Sequence, residues 1–359
     1  MSDSYTENNQ HISHELNCKD CGALLQFAPG AQKLACKYCG AQNDIPTQSL
    51  EHTIEEMDFN DFISNKVKQE EKQTINTVNC KNCGATTTLK PNLTSDNCAF
   101  CASPLVIKDG STSTIIKPKY VLPFQIDDKK AHDIFIAWLH GLWFAPNDLK
   151  KYASLNEKLK GMYTPYWTYD ANTNTNYSGE RGEHYYTGEG DKRKRETRWY
   201  PVNGSINNNF DDVCVLASKS LPDSVTRSLE PWNLKKLSPY NEGFISGFQT
   251  ECYQIDVKDS FETAKLLMND AVKTAIKREI GGDEQRIQRM HVVYSNIKFK
   301  HILLPIWLSA YRYNSKVYRF IINGETGKVQ GPRPYSAIKI ALAIIGVIAA
   351  ILLIKSISG

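Results

Sequence analysis

Eight of the ten cysteines fall into two matching sets. Cys18-x2-Cys21 is followed after fourteen residues by Cys36-x2-Cys39. Cys80-x2-Cys83 and Cys98-x2-Cys101 repeat the pattern, each cysteine 62 residues after its counterpart. The flanks repeat as well, CKDCGA at 18–23 and CKNCGA at 80–85. A C-x2-C turn aims two thiolates at one point. A following glycine (Gly22, Gly40, Gly84) takes the positive φ that lets backbone amides face the sulfurs. Two such turns, joined by a short antiparallel ribbon, make a tetrahedral S4 cage that suits zinc at a Zn–S distance of about 2.3 Å. The spacing predicts two zinc ribbons, over 16–42 and 78–106, holding two structural zinc ions. A disulfide framework and an iron site are the other readings of the same spacing. With all eight thiols used as ligands, neither site keeps an open position for catalysis. Segments this short cannot build a sufficient core, and metal binding supplies about 10–16 kcal/mol of apparent folding energy. Metal thiolates also point to a reducing compartment. Cys214 and Cys252 remain, and read as small buried apolar residues.

No other motif announces catalysis. Gly324-Glu-Thr-Gly327-Lys328-Val329 has two residues too few for a phosphate-binding loop and no hydroxyl after the lysine. Gly188-Glu-Gly190 lacks the third glycine of a dinucleotide loop. His184, His291 and His301 have no acid or nucleophile at motif spacing. The chain is therefore expected not to be an enzyme. The Glu180–His184 cluster reads as a solvated hairpin. The basic run Lys192, Arg193, Lys194, Arg195, with Arg198 and the aromatics Trp199 and Tyr200 after it, is the candidate contact for an anionic partner. A solvated hairpin tip, anionic lipid and nucleic acid are its three readings.

These residues need elements to carry them. The 359 residues carry a net charge of +4 and a 41% hydrophobic share, so most of the chain can fold as ordinary globular protein. The charge is uneven. Residues 1–120 hold 11 Lys, no Arg and 14 acidic groups, and the first arginine is Arg181. The start is polar, without a secretory signal, and residues 1–15 read as disordered. Residues 43–77 read as a polar linker, with a candidate amphipathic helix over 54–72 that turns Ile54, Met57, Phe62 and Val67 inward. Residues 115–332 read as one α+β body, an antiparallel sheet with helices. Its helices are expected at 127–139, 146–159 and 258–280, and its strands at 122–126, 287–297, 301–313 and 316–322. The stretch 163–177 is strand-like, and 179–190 carries turn signals. Asn314-Ser315 and Asn323-Gly324 supply further turns. An internal echo suggests a duplicated unit. Gln125-Ile126-Asp127 before one helix recurs as Gln254-Ile255-Asp256 before another, and Pro165-Tyr166-Trp167 recurs as Pro305-Ile306-Trp307.

Ile340–Ile354 is fifteen consecutive Ile, Leu, Val, Ala and Gly residues between Lys339 and Lys355. Extended back to Ala337 it makes a helix of about 27 Å against a hydrocarbon core of about 30 Å. A single transmembrane helix over 337–355 is expected, with Ser336 as N-cap and Lys339 snorkelling. A buried core helix is the alternative. Lys328, Arg333 and Lys339 agree with a cytoplasmic flank, although Lys355 weakens the contrast. The expected placement is the cell inner membrane, with the bulk of the chain facing the cytoplasm.

The paired CKxCG ribbons, the aromatic strand Tyr163–Tyr169, the stretch 303–336 (LLPIWLSAYRYNSKVYRFIINGETGKVQGPRPYS) and the terminal span resemble bacterial transcription-factor-IIB-type zinc-ribbon membrane proteins. The eight cysteines match that family's metal ligands one by one. Such proteins are often labelled relatives of primosomal helicase components, but this chain lacks the nucleotide-binding loop a helicase needs. The resemblance implies association with phage-shock coiled-coil proteins and flotillin-like scaffolds, hence a membrane-anchored adaptor in the envelope-stress response. It brings no catalytic residue. The alternative function is a membrane-tethered nucleic-acid binder that uses the ribbons or Lys192–Tyr200. A third is an enzyme site in the body that no motif reveals.

Overall fold

The computed structural model describes residues 16–45, 54–64, 72–88, 95–101, 103–106, 111–146, 159–188, 193–313, 316–332 and 335–358. The expected disorder of 1–15, nearly all of the helix expected at 146–159, the Asn314-Ser315 turn, Arg333 and Lys192 lie outside them. The architecture is two small cysteine-bearing units, a sheet-rich body with helices, and one apolar helix near the C-terminus.

The first unit is a three-stranded antiparallel sheet of β1 (Gln26–Ala28), β2 (Lys33–Ala35) and β3 (Gln42–Asn43). The next described segment holds β4 (Met57–Asp58) and α1 (Phe59–Ile63). Of the helix expected over 54–72, the described residues hold α1 alone, with strand at Met57 and Asp58, and 65–71, with Val67, lie outside the described residues. Met57 and Asp58 are drawn into strand pairing with Phe299 and Lys298. Phe59 then buries its ring 4.5 Å from Phe261 and 6.3 Å from Phe299. The second unit comprises β5 (Lys72–Asn79), β6 (Thr86–Thr88), β7 (Ser95–Asn97), β8 (Pro104–Val106) and β9 (Ser111–Ile116). Its sheet runs β6-β5-β9, with β7 and β8 as a separate antiparallel pair.

The body contains β10 (Tyr120–Val121), α2 (Asp128–Gly141), β11 (Lys160–Thr187), β12 (Lys194–Leu216), α3 (Asp223–Arg227), β13 (Ser238–Pro239), α4 (Glu242–Ile245), β14 (Gln249–Thr250), α5 (Val257–Ile280), β15 (Glu284–Tyr313), β16 (Lys316–Asn323) and β17 (Val329–Gln330). The main sheet path is β12-β11-β15-β10-β13. β11 and β15 are single strands of 28 and 30 residues, where the sequence suggests interruptions. Gly179 and Gly182, which read as turn residues, sit inside β11 because neighbours approach closely. A Cβ at Gly179 would lie 2.2 Å from the Arg286 carbonyl oxygen, and one at Gly182 would lie 2.8 Å from Thr197 Cγ2. The Glu180–His184 cluster is accordingly strand rather than a hairpin turn, paired throughout with β12 and as far as Gly182 with β15.

The echo in the sequence is a structural duplication. Tyr120 and Val121 run parallel to Ile302 and Leu303, as Gln249 and Thr250 run parallel to Met162 and Tyr163. Asp127 and Asp256 cap the helices that follow, accepting from the Lys130 N–H at 2.7 Å and the Asp259 N–H at 2.8 Å. The two units are crossed. Trp307 Nε1 donates to the Ile126 carbonyl at 2.9 Å, and Trp167 Nε1 donates to the Ile255 carbonyl at 2.9 Å. Amides of Gln125 and Ile126 share the Gly324 carbonyl, while those of Gln254 and Ile255 share the Ala217 carbonyl. Between the units, β11 and β15 pair antiparallel through Thr164 and Leu304. Pro165 and Pro305 fall inside these strands. Their carbonyls accept from Ala217 and Gly324, where the outer neighbours β12 and β16 end and no proline N–H is needed.

Helix α5 buries Val257, Phe261, Ala264, Met268, Val272, Ile276 and Ile280, the 3.6-residue stripe legible in the sequence. Gly281, at φ +65°, ends it.

Replacing Trp167 or Trp307 with Phe leaves a buried carbonyl without its donor and a small void. Each change is expected to cost roughly 2 kcal/mol or more in urea unfolding. Because the bonds are crossed, the two losses should not add independently in the double variant.

Candidate metal centres

Each unit brings its four cysteines to one point. In the first, Cys18 Sγ lies 3.5 Å from Cys39 Sγ, and Cys21 Sγ lies 3.4 Å from Cys36 Sγ. In the second, the Cys80–Cys101 and Cys83–Cys98 sulfurs are both 3.6 Å apart. A disulfide needs about 2.05 Å. A tetrahedron with metal–sulfur bonds of about 2.3 Å has edges of about 3.8 Å, close to the observed spacing. The donor set and geometry therefore fit a zinc ion in each cage.

The turns explain the convergence. In the first, Cys18 N–H donates to the Ala23 carbonyl and Gly22 N–H donates back to the Cys18 carbonyl. The same pair of bonds closes the turns at Cys36 and Cys80, with Gly22, Gly40 and Gly84 at φ +73°, +77° and +76°. The Cys98 turn keeps the first bond, donating to the Ser103 carbonyl. Amides of Cys39 and Tyr38 face the Cys36 sulfur and hold its thiol down to about 6. At Cys101, burial pushes upward, but hydrogen bonds from Asn82 and Ser103 outweigh it and hold the thiol to about 6. At these two positions the turn favours thiolate, the form a metal binds, while neighbouring thiols and burial raise Cys39 to about 12 and Cys83 to about 11.

Both cages are built into the body. Cys18 and Cys36 share a core with Phe27, Phe135, Phe244 and Trp307. Phe27 N–H donates to the Ser246 carbonyl at 3.0 Å, and Ser246 Oγ donates to the Leu25 carbonyl at 2.6 Å. The second cage sits deeper. Cys80, Cys98 and Cys101 are buried with Phe100, Arg319 Nε donates to the Phe100 carbonyl, and Gln254 Nε2 donates to the Gly84 carbonyl at 2.7 Å. Cys252 is buried and Cys214 half-buried, and burial raises both thiols, Cys252 to about 12.

In sequence, the chain is similar to the "Uncharacterized protein YdjG" of Bacillus subtilis (strain 168), 26% identical over 227 residues. That alignment covers 63% of this chain and 66% of the relative, just under two thirds of its length. No protein-family model matches the chain, and no solved structure matches it.

The structure also groups residues that spacing does not reveal. Glu56, Asp170 and Asp211 converge at a bulge in the long strands. The buried Lys300 occupies this cluster, with Nζ 2.8 Å from Glu56 Oε1 and 2.7 Å from Asp212 Oδ1. Burial, with the neighbouring Glu56, raises Asp170 to about 7. Lys300, with Lys298 3.6 Å from Glu56, thus offsets part of the cluster's charge, and Asp170 holds a proton more readily than an ordinary carboxyl. A second pair lines a cavity of about 170 Å³ beneath the second unit. Glu251 accepts from Ser218 and Ser220 through Oε1, and burial raises it to about 7. His301 Nδ1 lies 3.1 Å from the Ile116 carbonyl, and burial lowers the ring to about 4.

The basic run begins strand β12. Arg193 lies 4.4 Å over the Tyr186 ring and Arg198 4.9 Å over Tyr185. Lys194 and Arg195 are exposed on the same strand, while Lys192 lies outside the described residues.

Purified protein is expected to carry two zinc ions by elemental analysis. Cys21→Ser or Cys83→Ser should each remove one, and a chelator at mildly acidic pH should remove both and lower thermal stability. Glu251 gives a separate pH effect. Its folded value lies above its unfolded value near 4.5, so its contribution is present at low pH and lost between about 4.5 and 7. Glu251→Gln should be relatively more stable than the parent at pH 8 than at pH 5, by up to a few kcal/mol in denaturant titrations.

Proposed function

We propose that this chain is a membrane-anchored adaptor: two zinc-clasped units and the duplicated body present surfaces to protein partners at the cytoplasmic face of the inner membrane. The observation that carries it is the pairing of two closed four-sulfur sites, docked into one body, with an apolar helix that no described residue covers over its apolar length. That helix, α6 (Ala337–Ser358), has a mean hydropathy of 2.9 over its most apolar window, none of it buried against the body. Four-sulfur cages without an open position support structural metal, and a 22-residue helix reaches about 33 Å, enough for a hydrocarbon core of about 30 Å. The buried Lys300 ammonium is held by Glu56 and Asp212, which supports a structural role for that cluster. The resemblance to zinc-ribbon membrane proteins adds phage-shock-type coiled-coil and flotillin-like proteins as partners, and envelope stress as the setting.

A second reading is nucleic-acid binding, favoured by the stacked arginines and exposed Lys194 and Arg195 at the end of β12. Salt separates the two, because phosphate contacts weaken steeply as salt rises.

The intact chain should stay with membranes after an alkaline wash, while a chain ending at Tyr335 should appear in the supernatant. Proximity labelling in cells should mark coiled-coil or flotillin-like proteins with the intact chain and lose them with the shorter one. Recovery of nucleic acid, lost on charge reversal of Arg193 and Arg195, would favour the second reading.

A further inference from the structure

The start of α6 is fastened to the loop that follows α2. Ser336 N–H donates to the Phe144 carbonyl at 2.7 Å. Lys339 Nζ donates to the Ala145 carbonyl at 2.7 Å and the Trp143 carbonyl at 3.3 Å. Lys339, expected to snorkel into water, spends its ammonium on backbone oxygens instead. Ser336 is a weak cap, since its Oγ lies 3.5 Å from the Lys339 amide. The helix therefore leaves the body at a fixed point.

The same loop carries Trp143, the most exposed ring among the body's described residues, and the partly exposed Phe144. Trp143 is 79% exposed and Phe144 37%, beside Tyr335 at 66%. The other five tryptophans are buried or half-buried. An indole prefers the boundary between hydrocarbon and headgroups, where its ring leaves water and its N–H stays wet. Depth is set by Lys339. From Ile340 the helix is apolar without interruption for fifteen residues, so the Lys339 ammonium belongs at headgroup level. The carbonyls it binds lie at that level too, and Trp143 and Phe144 extend from the same residues.

We propose that residues 142–145 are a second membrane contact, and that Trp143 and Phe144 seat the body against the lipid interface beside the span. The occupant is the bilayer itself, argued from continuity of the loop with the base of the apolar helix. The proposal rests on the reading of α6 as a span. It deepens that reading: the body is held down on the membrane rather than swinging from a tether.

The test uses the full chain in phosphatidylcholine vesicles, with and without lipids brominated near the headgroup end of the acyl chain. Bromine should quench part of the tryptophan fluorescence, and Trp143→Phe should abolish the quenched component. Zinc content and near-ultraviolet circular dichroism should be unchanged, because the replaced side chain is exposed. Equal quenching in parent and variant, with both resisting an alkaline wash, would overturn the seating and leave the span intact. Release of the parent by the alkaline wash would overturn the span and the seating together.

Discussion

The crossed pairing of two copies of one strand-and-helix unit organises the rest of the protein. Thr164 and Leu304 sit opposite each other at the centre of the pairing between β11 and β15. On each strand the same tryptophan reaches out to hold the segment leading into the other unit's helix. Neither unit is complete alone: the Ile126 carbonyl depends on Trp307, and the Ile255 carbonyl depends on Trp167. Buried carbonyls must find donors, so the two halves are obliged to fold together. That obligation also fixes the surfaces on which the cysteine units dock. Phe27 packs 5.6 Å from Phe244 in the connection between halves, and Cys252 N–H donates to the Thr86 carbonyl just ahead of the second helix lead.

Sulfur cage and shared core divide the work of holding the small units. A three-stranded sheet with strands of two or three residues has little apolar area to bury. A metal held in its sulfur cage would cross-link it, and its one buried ring, Phe27, is lent to the body's core. The second unit goes further, burying three of its four ligands and Phe100. The cages are therefore fixed to the body rather than hanging as loose modules, and the whole presents one continuous surface.

What the sequence could reveal follows the range of the physics involved. Cysteine spacing encodes a cage because ligand geometry is local, and the four-sulfur groups form as the spacing implies. The caps Asp127 and Asp256 and the stripe of α5 are also local, and were legible. The repeated Gln-Ile-Asp and Pro-x-Trp strings hinted at duplication, but only the fold shows that they cross, because a hydrogen bond between Trp307 and Ile126 joins residues distant in sequence. The misreadings share one cause. Glycines at 179 and 182 look like turns unless the neighbouring strands are known, and Met57 looks like a helix-face residue unless its strand partner Phe299 is known. The Glu56–Asp170–Lys300 cluster and the Glu251–His301 cavity gave no signal, since their members come from separate elements with no characteristic spacing.

The long arm of β11, β12 and β15 explains where the arginines fall. One face is covered by α5, which starts near Tyr169, whose hydroxyl donates to the Val257 carbonyl, and ends at Gly179, beside Ile280 Cδ1. Ten strand residues span about 33 Å, and a 24-residue helix spans about 36 Å, so cover and covered segment match in length. Past Gly179 no helix among the described residues shields the rings. There Arg286 lies 3.6 Å over Trp199, Arg198 over Tyr185 and Arg193 over Tyr186. A guanidinium is planar and weakly hydrated, so it can cover an aromatic face while staying in water. Lysine, with its compact ammonium, covers a ring poorly. The change in composition after residue 180, from no arginine to several, coincides with the point where the arm outruns its helix. The basic run thus has a packing role in the strands that is separate from any charge it offers a partner.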